Sequence, residues 1–112
     1  MKKIEAIIRP ERLEQVRRSL EIVGYSGIMI SEVEGHGKQK GIVQQWRGEK
    51  YKVDLLPKTK IAIIVKDNEV DRILKTIIDN AKTGEIGDGK IFVYPVENAV
   101  RIRTGERGDS AL

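Results

Sequence analysis

Three segments of this 112-residue sequence set residue types at spacings that could do chemistry. Gly35-His36-Gly37-Lys38-Gln39-Lys40-Gly41 alternates glycines with hydrogen-bond donors. Glycine lets a backbone N–H approach an anion closely, and the lysines add charge. Gln39 contributes a neutral amide oxygen able to bind a hard cation such as magnesium. The second segment, Thr83-Gly84-Glu85-Ile86-Gly87-Asp88-Gly89-Lys90, can wrap a polyphosphate with backbone N–H groups and one ammonium. It is not a Walker A motif, because it runs from a predicted helix into a strand and that motif requires the reverse order. The third, Arg101-Ile102-Arg103-Thr104-Gly105, puts two arginines on one face of an extended segment. Alone, the first reads equally well as a solvated loop, the second is a weak signal that a helix-ending turn at Gly84 partly explains, and solvated edge charges would normally account for the third. Three anion-suited elements on one small domain point instead to a nucleotide site.

The remaining composition narrows the chemistry. The absence of cysteine excludes disulfides, thiolate metal sites and cysteine nucleophiles. A single histidine, His36, argues against a serine–histidine pair or a multi-histidine metal centre, and no paired carboxylates flank the loops. Binding is therefore expected, and catalysis is not. The net charge of +4 is concentrated: between His36 and Lys60 stand seven basic residues and two acids. Such a segment suits phosphate, carboxylate or an acidic partner. Trp46 and Tyr51 lie in the same stretch, and an aromatic beside Arg47 is a common interface anchor. A single-strand nucleic-acid binder would place stacking aromatics across its sheet, and the strands here are mostly aliphatic, so no nucleic acid is expected. The longest apolar run, Ile61 to Val65, has five residues, far short of the ~20 of a membrane helix. Ala6-Ile7-Ile8 is cut off by Arg9-Pro10, too early for a signal peptide. A single cytoplasmic domain over residues 1–112 is expected, since 34% charged and 39% hydrophobic residues suit a folded core.

The elements that must position these segments occur twice. Shifting the sequence by 57 residues lays Lys3-Ile4-Glu5-Ala6-Ile7-Ile8-Arg9 on Lys60-Ile61-Ala62-Ile63-Ile64-Val65-Lys66. Each β-branched run precedes apolar positions at helical spacing, 13-16-20-23 and 70-73-74-77-78-81. Pro10 suits the first turn of helix one, and Asp67 or Asn68 can cap helix two. A strand follows each helix, Ile28 to Val33 and Ile91 to Val96. Strand–helix–strand repeated twice is the α+β, ferredoxin-like double split βαβ sandwich. The 19 residues from Gly37 to Leu55 join the halves and show no period long enough to pack, against a typical connection of ~4–6 residues. Alternation puts Ile4, Ala6, Ile8, Ile61, Ile63, Val65, Ile91 and Val93 on the helix side of the sheet. Ile7, Ala62, Ile64, Phe92 and Tyr94 are left on the other side, where burial against further copies of the chain is the expected solution.

The sequence resembles the PII nitrogen-regulatory proteins, the GlnB/GlnK family, along essentially all its length. Residues 83–93 resemble that family's C-terminal signature, and Gly37 to Gly41 and Arg101 to Glu106 match further family patterns. Trp46-Arg47-Gly48-Glu49-Lys50-Tyr51 is similar to part of the signature of the family's long "T-loop". The resemblance implies a homotrimer with a T-loop at about 37–55, a glycine-rich nucleotide loop at about 82–90 and a C-terminal loop at about 98–112. It implies ATP or ADP bound between subunits, and 2-oxoglutarate bound together with Mg-ATP (Mg2+). Carried onto matching positions, the nucleotide meets Ile7, Gly35, Gly37, Lys38, Gln39, Ile64, Thr83, Gly87, Asp88, Gly89, Lys90, Arg101 and Arg103. Gln39 would hold magnesium, and Gln39, Lys40, Gly41, Lys58 and Gly87 would surround 2-oxoglutarate. Trp46 and Arg47 would meet a partner, an ammonium transporter or glutamine synthetase, with any membrane contact made only through the transporter. Tyr51 matches the position that many members carry as a uridylylated tyrosine. The alternative is a PII-like paralogue that senses adenylate nucleotides and a different metabolite.

Overall fold

The computed structural model describes residues 1–25, 27–35, 42–46, 49–53 and 56–112, with 34–35, 42–46, 49–53 and 56 as backbone only. Alternation makes β1 (Lys2–Ile8) and β5 (Leu56–Val65); β1 buries every second residue, whereas β5 buries Ala62 as well as its alternating positions. Ile4, Ala6 and Ile8 on β1, with Ile61, Ile63 and Val65 on β5, are all buried. β1 lies antiparallel to β5, Lys2 opposite Val65 through Ile8 opposite Thr59, and antiparallel to β6 (Lys90–Pro95) on its other side. β2 (Met29–Gly35) covers the far edge of β5. The resulting order, β2-β5-β1-β6, puts the first strand of each repeat at the centre of the sheet. That is the α+β ferredoxin-like arrangement expected from the doubled strand–helix–strand pattern.

Helices α1 (Leu13–Ile22) and α2 (Val70–Ala81) bury Val16 and Leu20, and Ile73, Ile77 and Ala81, against that sheet face. Pro10 opens a single 3-10 turn, Pro10–Arg12, that leads into α1. Its fixed φ and missing N–H suit a position where no donor is needed. At α2 the expected caps fail: neither Asp67 nor Asn68 caps through its side chain. Asp67 turns back to the start of β1, where its carboxylate takes the Met1 ammonium at 2.9 Å and lies 3.7 Å from Lys2. Hydrogen bonding from that ammonium lowers the Asp67 pKa. A full charge nearby out-competes backbone N–H groups for the same oxygen.

Two further differences concern the sheet and its long connection. β5 begins at Leu56, where β2 runs on to pair Gly35 with Leu56. The stretch expected to lack periodic structure contains β3 (Ile42–Trp46) and β4 (Glu49–Val53), which pair as a separate two-stranded sheet. Backbone pairing needs no apolar stripe, so hydrophobic periodicity does not mark it. Ile78 and Val93, expected inside, are exposed and flank an open groove at the β6 edge. On the other face Ala62 is buried beside Met29 and Glu5, whereas Phe92 and Tyr94 remain 45% and 42% exposed.

Candidate functional site

The glycine-rich loop between α2 and β6 is organised from within by Asp88. Oδ2 accepts the N–H groups of Thr83 and Gly84, each at 2.9 Å. Oδ1 accepts the Thr83 hydroxyl and the Arg9 Nε–H, the latter at 3.1 Å. Burial works to raise the Asp88 pKa, but hydrogen bonds from Thr83, Gly84 and Arg9 outweigh it and hold the carboxyl far below the usual range. Asp88 and Thr83, expected against nucleotide, thus spend their side chains on loop shape, and what they offer a ligand is backbone. Gly89 fixes where that backbone lies: at φ +101° a Cβ would sit 1.7 Å from the Ile7 carbonyl oxygen. Only glycine allows so close an approach to β1.

Lys58, on β5, donates to the Gly87 carbonyl at 2.7 Å and is buried. Burial, then the nearby Arg9 charge, lowers its pKa, with Glu11 and Asp88 partly opposing. A desolvated ammonium of this kind gains from an incoming carboxylate or phosphate. Ile7, Asp88, Gly89 and Lys90 together line one end of the groove at the β6 edge, about 440 Å³ in volume. Ile7, Lys58, Thr83, Gly87, Asp88, Gly89 and Lys90 therefore stand together in one cluster. Arg9 belongs to it and was missed by sequence reasoning. Its one signal was its place between the end of β1 and Pro10.

The other expected residues gather elsewhere. Ile7 stands opposite Lys60 and Ile64 opposite Lys3, four positions along the ladder, roughly 13 Å apart. Ile64 lines a separate groove of about 690 Å³ with Tyr25, Met29, Arg72 and Leu112. Burial, with Glu69 nearby, raises the Tyr25 pKa in that groove. Arg101 faces the same end of the molecule: it donates to the Leu112 carbonyl at 3.2 Å and pairs with Glu106 at 3.1 Å. Arg103 is exposed and makes no hydrogen bond or ion pair among the described residues. Gly35 ends β2 opposite Leu56. Trp46 ends β3, and Tyr51 lies opposite Gln44 on β4. Gly37, Lys38, Gln39, Lys40, Gly41 and Arg47 lie outside the described residues.

A divalent cation finds no protein cage in this arrangement. Among the described residues no three acidic or histidine side chains converge, and both Asp88 oxygens are taken.

The chain matches the family model "Nitrogen regulatory protein P-II" over residues 1–106. It is 54% identical over all 112 residues to nitrogen regulatory protein P-II 2 of Methanothermobacter thermautotrophicus, covering 97% of that protein. Over the full length of both chains it is also 54% identical to nitrogen regulatory protein P-II of Haemophilus influenzae and to P-II 1 of Escherichia coli K12. The chain belongs to the P-II nitrogen-regulatory family. It is a regulatory protein, not an enzyme, and regulators of this kind act on partner proteins. No helix among its described residues is long and apolar enough to cross a membrane. A single chain holds the two residue clusters toward opposite ends of its β1–β5 ladder.

Proposed function

We propose that this P-II protein is a homotrimeric, cytoplasmic sensor that binds ATP or ADP between subunits. In this reading it binds 2-oxoglutarate together with Mg-ATP. The observation that carries the reading is the separation of Ile7 and the glycine loop from Ile64 and Arg101 along β1 and β5. A nucleotide that uses both sets must lie between the glycine-loop end of one copy and the Ile64 end of another. The half-exposed Phe92 and Tyr94 on the intervening sheet face favour burial between copies as well. Within the site, Gly37, Lys38, Gln39, Gly87, Gly89 and Lys90 hold the phosphates, and Ile7 and Ile64 take the base and ribose. Arg101 and Arg103 reach in from the neighbouring copy. Magnesium on the nucleotide supplies a coordination position that a 2-oxo acid completes. Lys58 pairs with that acid's distal carboxylate, which compensates its desolvated charge.

Because the two ligands share one site, each tightens the other by the same factor. Lys38 to Gly41 form both the wall of the site and the root of the T-loop, so filling the site biases the loop's conformation toward or away from partners. The partner is an ammonium transporter met by Arg47 and Trp46, or glutamine synthetase. Calorimetric titration of 2-oxoglutarate in the presence of Mg-ATP, and separately of Mg-ADP, tests this. Binding with Mg-ATP alone is expected. Nucleotide binding with no 2-oxoglutarate response in either case would assign the chain to a paralogue that senses another metabolite.

A further inference from the structure

We propose that Arg9 is the positioning residue of an anion-binding nest in the 83–90 loop, a role that rests on the nucleotide reading above. Arg9 leaves β1 directly before Pro10, and its side chain is only 20% exposed. Its Nη2 donates to the Ile86 carbonyl at 2.9 Å and its Nε to Asp88 at 3.1 Å. Lys58 donates to the carbonyl between them, that of Gly87, at 2.7 Å. Two cations therefore draw the carbonyls of Ile86 and Gly87 to one side. In a planar trans peptide the N–H points opposite to the preceding C=O. The N–H groups of Gly87 and Asp88 consequently point away from Arg9 and Lys58. Positive φ at Gly87 and Gly89 lets successive N–H groups converge into a concave nest for an anion.

Arg9 has a second effect on the same anion. The Asp88 carboxylate would repel a phosphate if it turned outward, and Arg9 holds it inward as an ion pair. One guanidinium does both because its fork reaches two acceptors on either side of Gly87. A lysine is a point charge and can serve only one of them well.

The consequence is specific to phosphates. Titrations of ATP, ADP and AMP, each with magnesium, into wild type, Arg9→Lys and Arg9→Gln read it directly, with circular dichroism melts alongside. Arg9→Gln is expected to weaken ATP about tenfold or more, ADP less, and AMP by no more than about twofold, with Arg9→Lys intermediate. Arg9→Gln should also melt lower, because it loses the ion pair to Asp88, and titrations well below that melt, where the fold is intact, should still show the graded loss. Equal losses for all three nucleotides, or none, would overturn the assignment, because a merely structural arginine has no reason to distinguish phosphate number. A wild type that binds no adenine nucleotide would instead remove the functional reading and this role with it.

Discussion

Asp88→Asn is the substitution that tests the loop most sharply, since it keeps shape and removes charge. The carboxylate accepts four hydrogen bonds on two oxygens, including one from Arg9. An asparagine can keep the Thr83 and Gly84 N–H bonds on its single oxygen, and the Thr83 hydroxyl can turn to accept from its amide. Arg9 is then left facing a donor. A charge-assisted bond of this kind is worth ~1.5–3 kcal/mol, and the two retained bonds weaken on becoming neutral. Asp88 is 24% exposed, which trims the sum to about 2–3 kcal/mol at pH 7. The pH dependence follows from the depressed folded-state pKa. Ionised Asp88 stabilises the fold above the unfolded value of about 3.9, and that stability is lost as pH falls toward the folded value. By pH 3 about 1 kcal/mol of the difference between wild type and Asp88→Asn should have gone. Urea unfolding at pH 7, 5 and 3, at one fixed protein concentration so that any contribution from assembly stays constant, measures both. A difference below about 0.5 kcal/mol at pH 7, or one that does not shrink at pH 3, would refute the role given to the carboxylate.

Gly89→Ala combines a left-handed φ with a backbone clash against Ile7, so a loss of about 3 kcal/mol is expected in the same unfolding assay; a change under ~1 kcal/mol would mean the loop moves freely from β1. Lys58→Met removes a desolvated charge together with its bond to Gly87, so stability should shift by less than about 1 kcal/mol. Calorimetry on that variant should show ATP binding weakened, because the Gly87 carbonyl loses its donor, and the 2-oxoglutarate response gone; an intact response would clear Lys58 of the carboxylate. Arg47→Ala should abolish pull-down of an ammonium transporter and leave ATP titrations unchanged, and weakened ATP binding would count against a role at the loop tip.

The sandwich was legible because the signals at successive levels agree. Ile4-Ala6-Ile8 and Ile61-Ile63-Val65 alternate, and 16-20 and 73-77 recur at helical spacing, so one face of each element carries the core. The β3–β4 pair was not legible, since Gln44, Gln45, Lys50 and Lys52 mask any alternation and only the cross-strand register defines it. The caps of α2 were misassigned for an electrostatic reason: Asp67 meets a full charge from the far end of β1. At the site, glycine spacing marked Gly87 and Gly89 because backbone demands appear locally in sequence. Arg9 escaped because its two acceptors lie 77 and 79 residues away, and local sequence carries no record of such a contact.

The claim at the centre is that each site is completed by a second copy. Lys90→Ala disables the glycine-loop half, and Arg103→Ala disables the C-terminal half. Each variant alone should lose most ATP binding. When the two are unfolded together, mixed in equal amounts and refolded, random assortment in a ring of three should restore about a quarter of the sites. ATP titration of the mixture should recover about that fraction at wild-type affinity. No recovery, with mixed oligomers demonstrated by native mass spectrometry, would contradict a shared site, because every chain would then carry its own defect.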